Sequence, residues 1–152
     1  MPLLVRDIMT RDVFAVAPDT SLAIVARLLS ERHISGAPVI DADSRPIGVI
    51  SRSDLMRPLG KGASDEPGQS IFYLVSNDSR IVNSADVTCS RAGIAADVMQ
   101  RFVLSMPPDK SVMDAVRLMV ADEVHRLLVV EEGKLIGILS SMDVMKALVS
   151  EK

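Results

Sequence analysis

The chain has 152 residues, of which 48% are hydrophobic, 24% charged and only 3% aromatic, with a net charge of -3 and no tryptophan. Such a composition excludes a disordered chain, and the balanced charge with so few stacking rings argues against a nucleic-acid binder. The longest apolar runs are far too short to cross a bilayer, the first residues lack the layout of a secretory signal, and the single cysteine, Cys89, suits a reducing compartment; a cytoplasmic protein with no membrane segment is expected.

In chain order, Val13 to Val16 reads as a short strand closed by Pro18-Asp19. Leu22, Val25, Ala26 and Leu29 then fall at i, i+3, i+4 and i+7, which predicts a helix with one buried stripe. Ala37 to Ile40 and Ile47 to Ile50 flank the turn formers Asp41-Ala42-Asp43-Ser44, a predicted hairpin, and a helix follows Ser51. Pro58 to Ser70 reads as a flexible connector. Within it Gly60-Lys61-Gly62-Ala63-Ser64 lacks the spacing and the preceding strand of a phosphate loop. Ile71 to Val75 is a short apolar run, a strand or a helix turn docked on the core, and Asn77 to Arg91 carries no clear signal. The series then recurs: strand Val103 to Met106, a helix on Val112, Ala115, Val116 and Met119 with a capping-box start at Ser111 and Asp114, a hairpin of Leu127 to Val130 and Ile136 to Leu139 around Glu131-Glu132-Gly133-Lys134, and a helix after Ser140.

The second series copies the first. Asp7, Met9, Arg11, Val13, Pro18, Asp19, Ser21, Arg27, Leu28 and Val39 match Asp97, Met99, Arg101, Val103, Pro108, Asp109, Ser111, Arg117, Leu118 and Val129 at one offset. After a one-residue slip in the hairpin loop, Ile47, Gly48, Ser51, Asp54 and Met56 match Ile136, Gly137, Ser140, Asp143 and Met145. Units of roughly fifty residues barely bury a core alone, so the two are expected to share one, related by a pseudo-two-fold axis with two related clefts. The fold class is α/β, two β-α-β-β-α repeats: repeat one over 1–58, a connector over 59–93 and repeat two over 94–152.

The densest coincidence is Gly48 to Asp54 against Gly137 to Asp143, where a buried strand runs straight into a helix. Serine at the helix start leaves backbone N–H groups and the positive dipole end facing outward, which suits phosphate. Aspartate one turn inside can accept two hydrogen bonds from a ribose diol, and the strand glycine leaves room for a ligand near the backbone. The bland alternative is that Ser-x-x-Asp is only a capping box. His125-Arg126, just before a strand, add positive charge that could meet phosphate; the first repeat has Ser35-Gly36 there, with Arg52 as a candidate to compensate.

Together with the Asp-Ile-Met and Asp-Val-Met openings at Asp7 and Asp97, Ile34-Ser35-Gly36-Ala37-Pro38-Val39 and Val124-His125-Arg126-Leu127-Leu128-Val129, these segments resemble paired cystathionine-beta-synthase-type (CBS) domains, which form a Bateman module. The resemblance covers Val5 to Leu148 apart from the connector. It implies an adenine nucleotide or S-adenosylmethionine as regulatory ligand between the repeats, with Asp54 and Asp143 on ribose, Ser51 and Ser140 near phosphate, and His125 and Arg126 on phosphate. Leu128 against Pro38, and Gly36 against Arg126, are where the two clefts depart from each other.

A ligand-sensing regulatory module acting on an unknown protein partner is therefore expected, as a homodimer joined through helix faces; the alternative is a structural dimerisation protein with vestigial clefts. An enzyme ranks last, because His33 and His125 lie in different halves, Cys89 has no obvious base, and no His/Cys cluster has metal-ligand spacing.

Overall fold

A computed structural model describes residues 2–56, 71–74 and 93–151. Their elements are α1 (Val5–Ile8), α2 (Leu22–Glu31), β1 (Gly36–Ile40), β2 (Pro46–Ser51), α3 (Arg52–Leu55), α4 (Ile71–Leu74), α5 (Ala95–Val98), β3 (Ser105–Met106), α6 (Val112–Ala121), β4 (Arg126–Glu131), β5 (Lys134–Ser140) and α7 (Ser141–Ser150). The connector Pro58 to Ser70 with its Gly60 to Ser64 stretch, the segment Asn77 to Arg91 and Cys89 lie outside the described residues.

The repeat is visible element by element. α2 and α6 both start on a serine: Ser21 Oγ accepts from Ile24 N at 3.3 Å, and Ser111 Oγ from Asp114 N at 3.0 Å. The α2 stripe of Leu22, Val25, Ala26 and Leu29 is buried, and α6 buries Ala115 and Met119. Each hairpin forms with matched register, Val39 opposite Gly48 and Val129 opposite Gly137, and each shifts register at the next residue.

One pair of expected elements differs. β3 runs parallel to β4 through Ser105 and Met106, and Leu128 N–H extends that contact by donating to Leu104 O at 3.0 Å. In the first repeat Val13 to Val16 is reduced to a single bridge, Val16 to Val39. Pro38 stands where the second repeat has Leu128 and has no N–H to donate, so the ladder cannot extend.

The opening turns, which the hydrophobic pattern does not reveal, are exchanged between the repeats. α1 bonds to the second repeat, Val5 N to Lys110 O at 2.9 Å and Thr10 N to Ile138 O at 2.8 Å. α5 bonds to the first, Ala95 N to Thr20 O at 2.8 Å and Gln100 N to Val49 O at 2.8 Å. The cores follow the same exchange. Val5 and Met9 pack with Leu127, Val129 and Leu139, whereas Ala95, Val98 and Met99 pack with Leu22, Val39 and Ile50. Each core thus needs both halves of the chain, and any cleft at the end of a hairpin is walled by both repeats.

α4, the apolar run of the connector, is a helix turn. Phe72 and Tyr73 are fully buried in it, their rings 5.1 Å apart and nearly perpendicular. Among the described residues no helix is long and apolar enough to cross a membrane.

Candidate functional site

Both Ser-x-x-Asp segments are capping boxes. Asp143 Oδ2 accepts from Ser140 N at 2.8 Å and from Ser140 Oγ at 2.9 Å, while Asp143 N donates to Ser140 Oγ at 3.2 Å. Asp54 Oδ2 accepts from Ser51 N at 2.7 Å and Ser51 Oγ at 3.0 Å. In each case one carboxylate oxygen serves the cap, which leaves the other to decide what further role the aspartate has.

Asp143 lines a cavity of about 780 Å³ between the repeats. Among the described residues nothing donates to Asp143 Oδ1, and the side chain is half-buried. β1 supplies Gly36 and Pro38 to the wall, β4 Arg126, β5 Ile138 and Ser140, and α7 Asp143 and Lys146. Asp12, Phe14 and Arg32 of the first repeat complete the rim, and the Arg32 guanidinium lies 4.1 Å from the Phe14 ring centre. Arg126 is 4% exposed and stacks on Phe72 at 4.9 Å. Burial pulls its guanidinium below the ordinary arginine value while the nearby Asp143 carboxylate raises it. An arginine remains a cation throughout. Three cations and two carboxylates on apolar walls, at the N-terminus of a ten-residue helix, can hold a phosphate at one end and a diol at the other.

The corresponding surroundings of Asp54 are filled. Asp54 is 3% exposed, and its Oδ1 accepts from Gln100 Nε2 at 3.0 Å. Gln100 replaces the short Thr10 of the other cleft. Further along the same segment, the hydroxyl of Tyr73 in α4 accepts from Leu104 N at 3.0 Å and donates to Phe102 O at 3.2 Å. Burial pushes the Tyr73 phenol up to about 12, the Leu104 N–H opposing.

The expected site residues are therefore distributed in a way the repeat did not suggest. Gly36, Arg126, Ser140 and Asp143 meet at one cavity, although the first comes from the other repeat. His125 does not join them: it precedes β4 and lines a separate groove of about 450 Å³ with Val120, Val144 and Met145. Arg52 donates to Ile34 O at 3.2 Å and Leu29 O at 3.5 Å, neutralising carbonyls at the end of α2. The strand glycines admit no ligand, contrary to expectation. A Cβ on Gly48 would lie 2.5 Å from Gln100 O, and one on Gly137 would lie 3.0 Å from Thr10 O, so both make room for the exchanged opening segments.

Thr10, Asp12, Phe14, Arg32, Phe72 and Lys146 were missed. Lys146 had a signal, since it follows Asp143 at i+3 on one helix face; Phe72 had none. Among the described residues no three of His, Cys, Asp and Glu come together as metal ligands would.

Residues 5–61 and 95–150 match the CBS domain family. An uncharacterized protein of Methanocaldococcus jannaschii is 34% identical over 97% of this chain and 92% of its own length. Other curated relatives are longer, the chain spanning 22% to 63% of them. The structure of CBSX2 of Arabidopsis thaliana in complex with AMP superposes with a TM-score of 0.70 at 28% identity, covering 98% of each chain. The CBS domain pair of protein MJ0100, in complex with 5-methylthioadenosine and S-adenosyl-L-methionine, shares the fold at a TM-score of 0.67 and 18% identity over 100% of each chain. With both repeats matched and the α/β fold shared over its full length, this chain belongs to the CBS domain family as a tandem pair, a Bateman module.

Proposed function

We propose that the chain is a ligand-sensing regulatory module that binds an adenosine phosphate in the Asp143 cleft and transmits the resulting change in repeat packing to a protein partner. The observation that carries this reading is the division of labour at Asp143: Oδ2 closes the cap, while Oδ1 accepts nothing among the described residues and its side chain lines the cavity together with Arg126. The apolar wall supports an adenine. In the other cleft the Tyr73 hydroxyl pairs with Phe102 O and Leu104 N. Their counterparts, Asp12 O and Phe14 N, belong to residues that line the cavity and make no hydrogen bond among the described residues. They offer the acceptor and donor that an adenine amino group and ring nitrogen need. Arg32, Arg126 and Lys146 favour a phosphate over the cationic sulfonium of S-adenosylmethionine. The AMP complex of CBSX2 supports the same ligand class.

Calorimetry and thermal shift with AMP, ADP, ATP, S-adenosylmethionine and NAD test this reading. The decisive variant is Asp143→Asn. Its amide oxygen can keep the cap, but its NH2 replaces the second acceptor. AMP affinity should fall roughly ten- to a hundredfold, the loss of about 1.5–3 kcal/mol expected for hydrogen bonds to a charged group. The ligand-free melting temperature should hardly move. A lowered melting temperature with undiminished affinity would leave Ser140 and Asp143 as a helix cap alone.

The same reading includes a homodimer. α6 and α7 expose Met113, Val120, Met145, Leu148 and Val149, of which Val120 and Met145 line the groove that holds His125, an apolar surface suited to a second copy. Light scattering tests it, and a monomer at tens of micromolar, roughly the range of modest interfaces, would count against it.

A further inference from the structure

The Tyr73 hydroxyl is placed as a ligand would be. It spans Leu104 N and Phe102 O, the positions that correspond to Phe14 and Asp12 in the open cleft, and so it uses one donor and one acceptor at the base end of the second cleft. The ribose end is closed as well, because Gln100 Nε2 occupies Asp54 Oδ1, the oxygen whose counterpart at Asp143 is open. The backbone holds α4 in this position: His125 N donates to Tyr73 O at 2.8 Å, and Phe72 lies against Gly36, where any Cβ would come within 3.3 Å of its ring. Tyr73 and Phe72 have no exposed surface, and the Phe102 ring stands 6.4 Å from Tyr73 at a steep angle. A ligand entering the second cleft would have to break all of these contacts at once.

We infer that Tyr73 and Gln100 are a built-in occupant of the second cleft, so that the chain takes one adenosine phosphate, and that cutting both residues back creates a second site around Ser51 and Asp54. This rests on the adenosine-phosphate reading of the Asp143 cleft. It is a property of this chain's own connector: Thr10 and Gln100 occupy matching places in the repeat, and among the described residues none bonds to Asp12 O and Phe14 N as Tyr73 does to Phe102 O and Leu104 N.

The test is calorimetry with AMP on the full chain. The wild type should bind one AMP per chain. Tyr73→Ala/Gln100→Thr, which restores at Gln100 the residue of the open cleft, should bind two, and adding Asp54→Asn should return it to one. Two sites in the wild type would overturn the inference, as would one site in a folded double variant. A second readout covers a double variant that fails to fold. Tyr73 is the only tyrosine, so tyrosinate absorbance reports this residue alone. The wild-type phenol should stay protonated at about pH 10.5, above the ordinary tyrosine value; ionisation with a midpoint near 10 would show that the ring does not fill the cleft. If the wild type binds no adenosyl ligand, the ligand reading fails and the phenol titration alone decides the occupancy.

Discussion

The two clefts begin from the same Ser-x-x-Asp cap and end as opposites. Ser140 and Asp143 face a cavity with a carboxylate oxygen to spare, whereas Ser51 and Asp54 sit under Gln100 with both oxygens engaged. The caps are alike, so the difference comes entirely from what the rest of the chain places opposite them: Thr10 or Gln100, an open wall or Tyr73. A repeated motif therefore identifies a local geometry. Whether that geometry is a site depends on its neighbours.

The sharpest way to break this comparison is to remove each carboxylate. Asp54→Ala strips partners from Ser51 N, Ser51 Oγ and Gln100 Nε2 in a dry interior, and urea denaturation should register a loss of about 2–4 kcal/mol. Asp143→Ala loses only the cap, and about 1 kcal/mol is expected. Equal losses would mean that the clefts are equivalent after all.

The sealed cleft also carries a signature in alkali. A phenol whose proton is held in the folded state stabilises the protein fully below the unfolded value near 10, and that contribution disappears as pH rises through about 12. Stability should fall by roughly 2–3 kcal/mol across that window, at about 1.4 kcal/mol per pH unit. Denaturation curves of Tyr73→Phe should lack this component. An identical slope in wild type and variant would place the phenol in solvent.

In the open cleft, Arg126→Met keeps an apolar partner for Phe72 and removes the cation. AMP affinity should drop about tenfold, roughly 1.4 kcal/mol, while adenosine, with no phosphate, binds as before. Equal loss for both ligands would make Arg126 a wall residue only. The smallest effect belongs to the elements that both repeats share without distinction. Ser21→Ala and Ser111→Ala each remove one helix cap far from either aspartate, and each should cost about 1 kcal/mol. A large inequality would show that the asymmetry extends beyond the clefts.

Much of the fold was legible. The stripes of α2 and α6, the two hairpins and the helix starts at Ser21, Ser51, Ser111 and Ser140 follow from local spacing, because periodicity and capping act within a few residues. Ser140 and Asp143 were legible as a pair for the same reason, and the repeat supplied the family resemblance. The exchange of α1 and α5 was not legible, since nothing in Val5 to Met9 tells which hairpin will cover it. Nor was the company that Gly36 and Arg126 keep, which requires both repeats to close on one cavity. His125 and Arg126 illustrate the limit at its shortest range, because adjacent in sequence they line different cavities, one just before β4 and the other its first residue. By itself the sequence determined two copies of one unit and the residues that cap its helices, which are short-range properties of hydrophobic period and hydrogen-bonding side chains. Only the tertiary structure decided which copy is open, because an empty cleft and a filled one differ by contacts such as Tyr73 to Leu104 and Gln100 to Asp54, made between residues far apart in the chain.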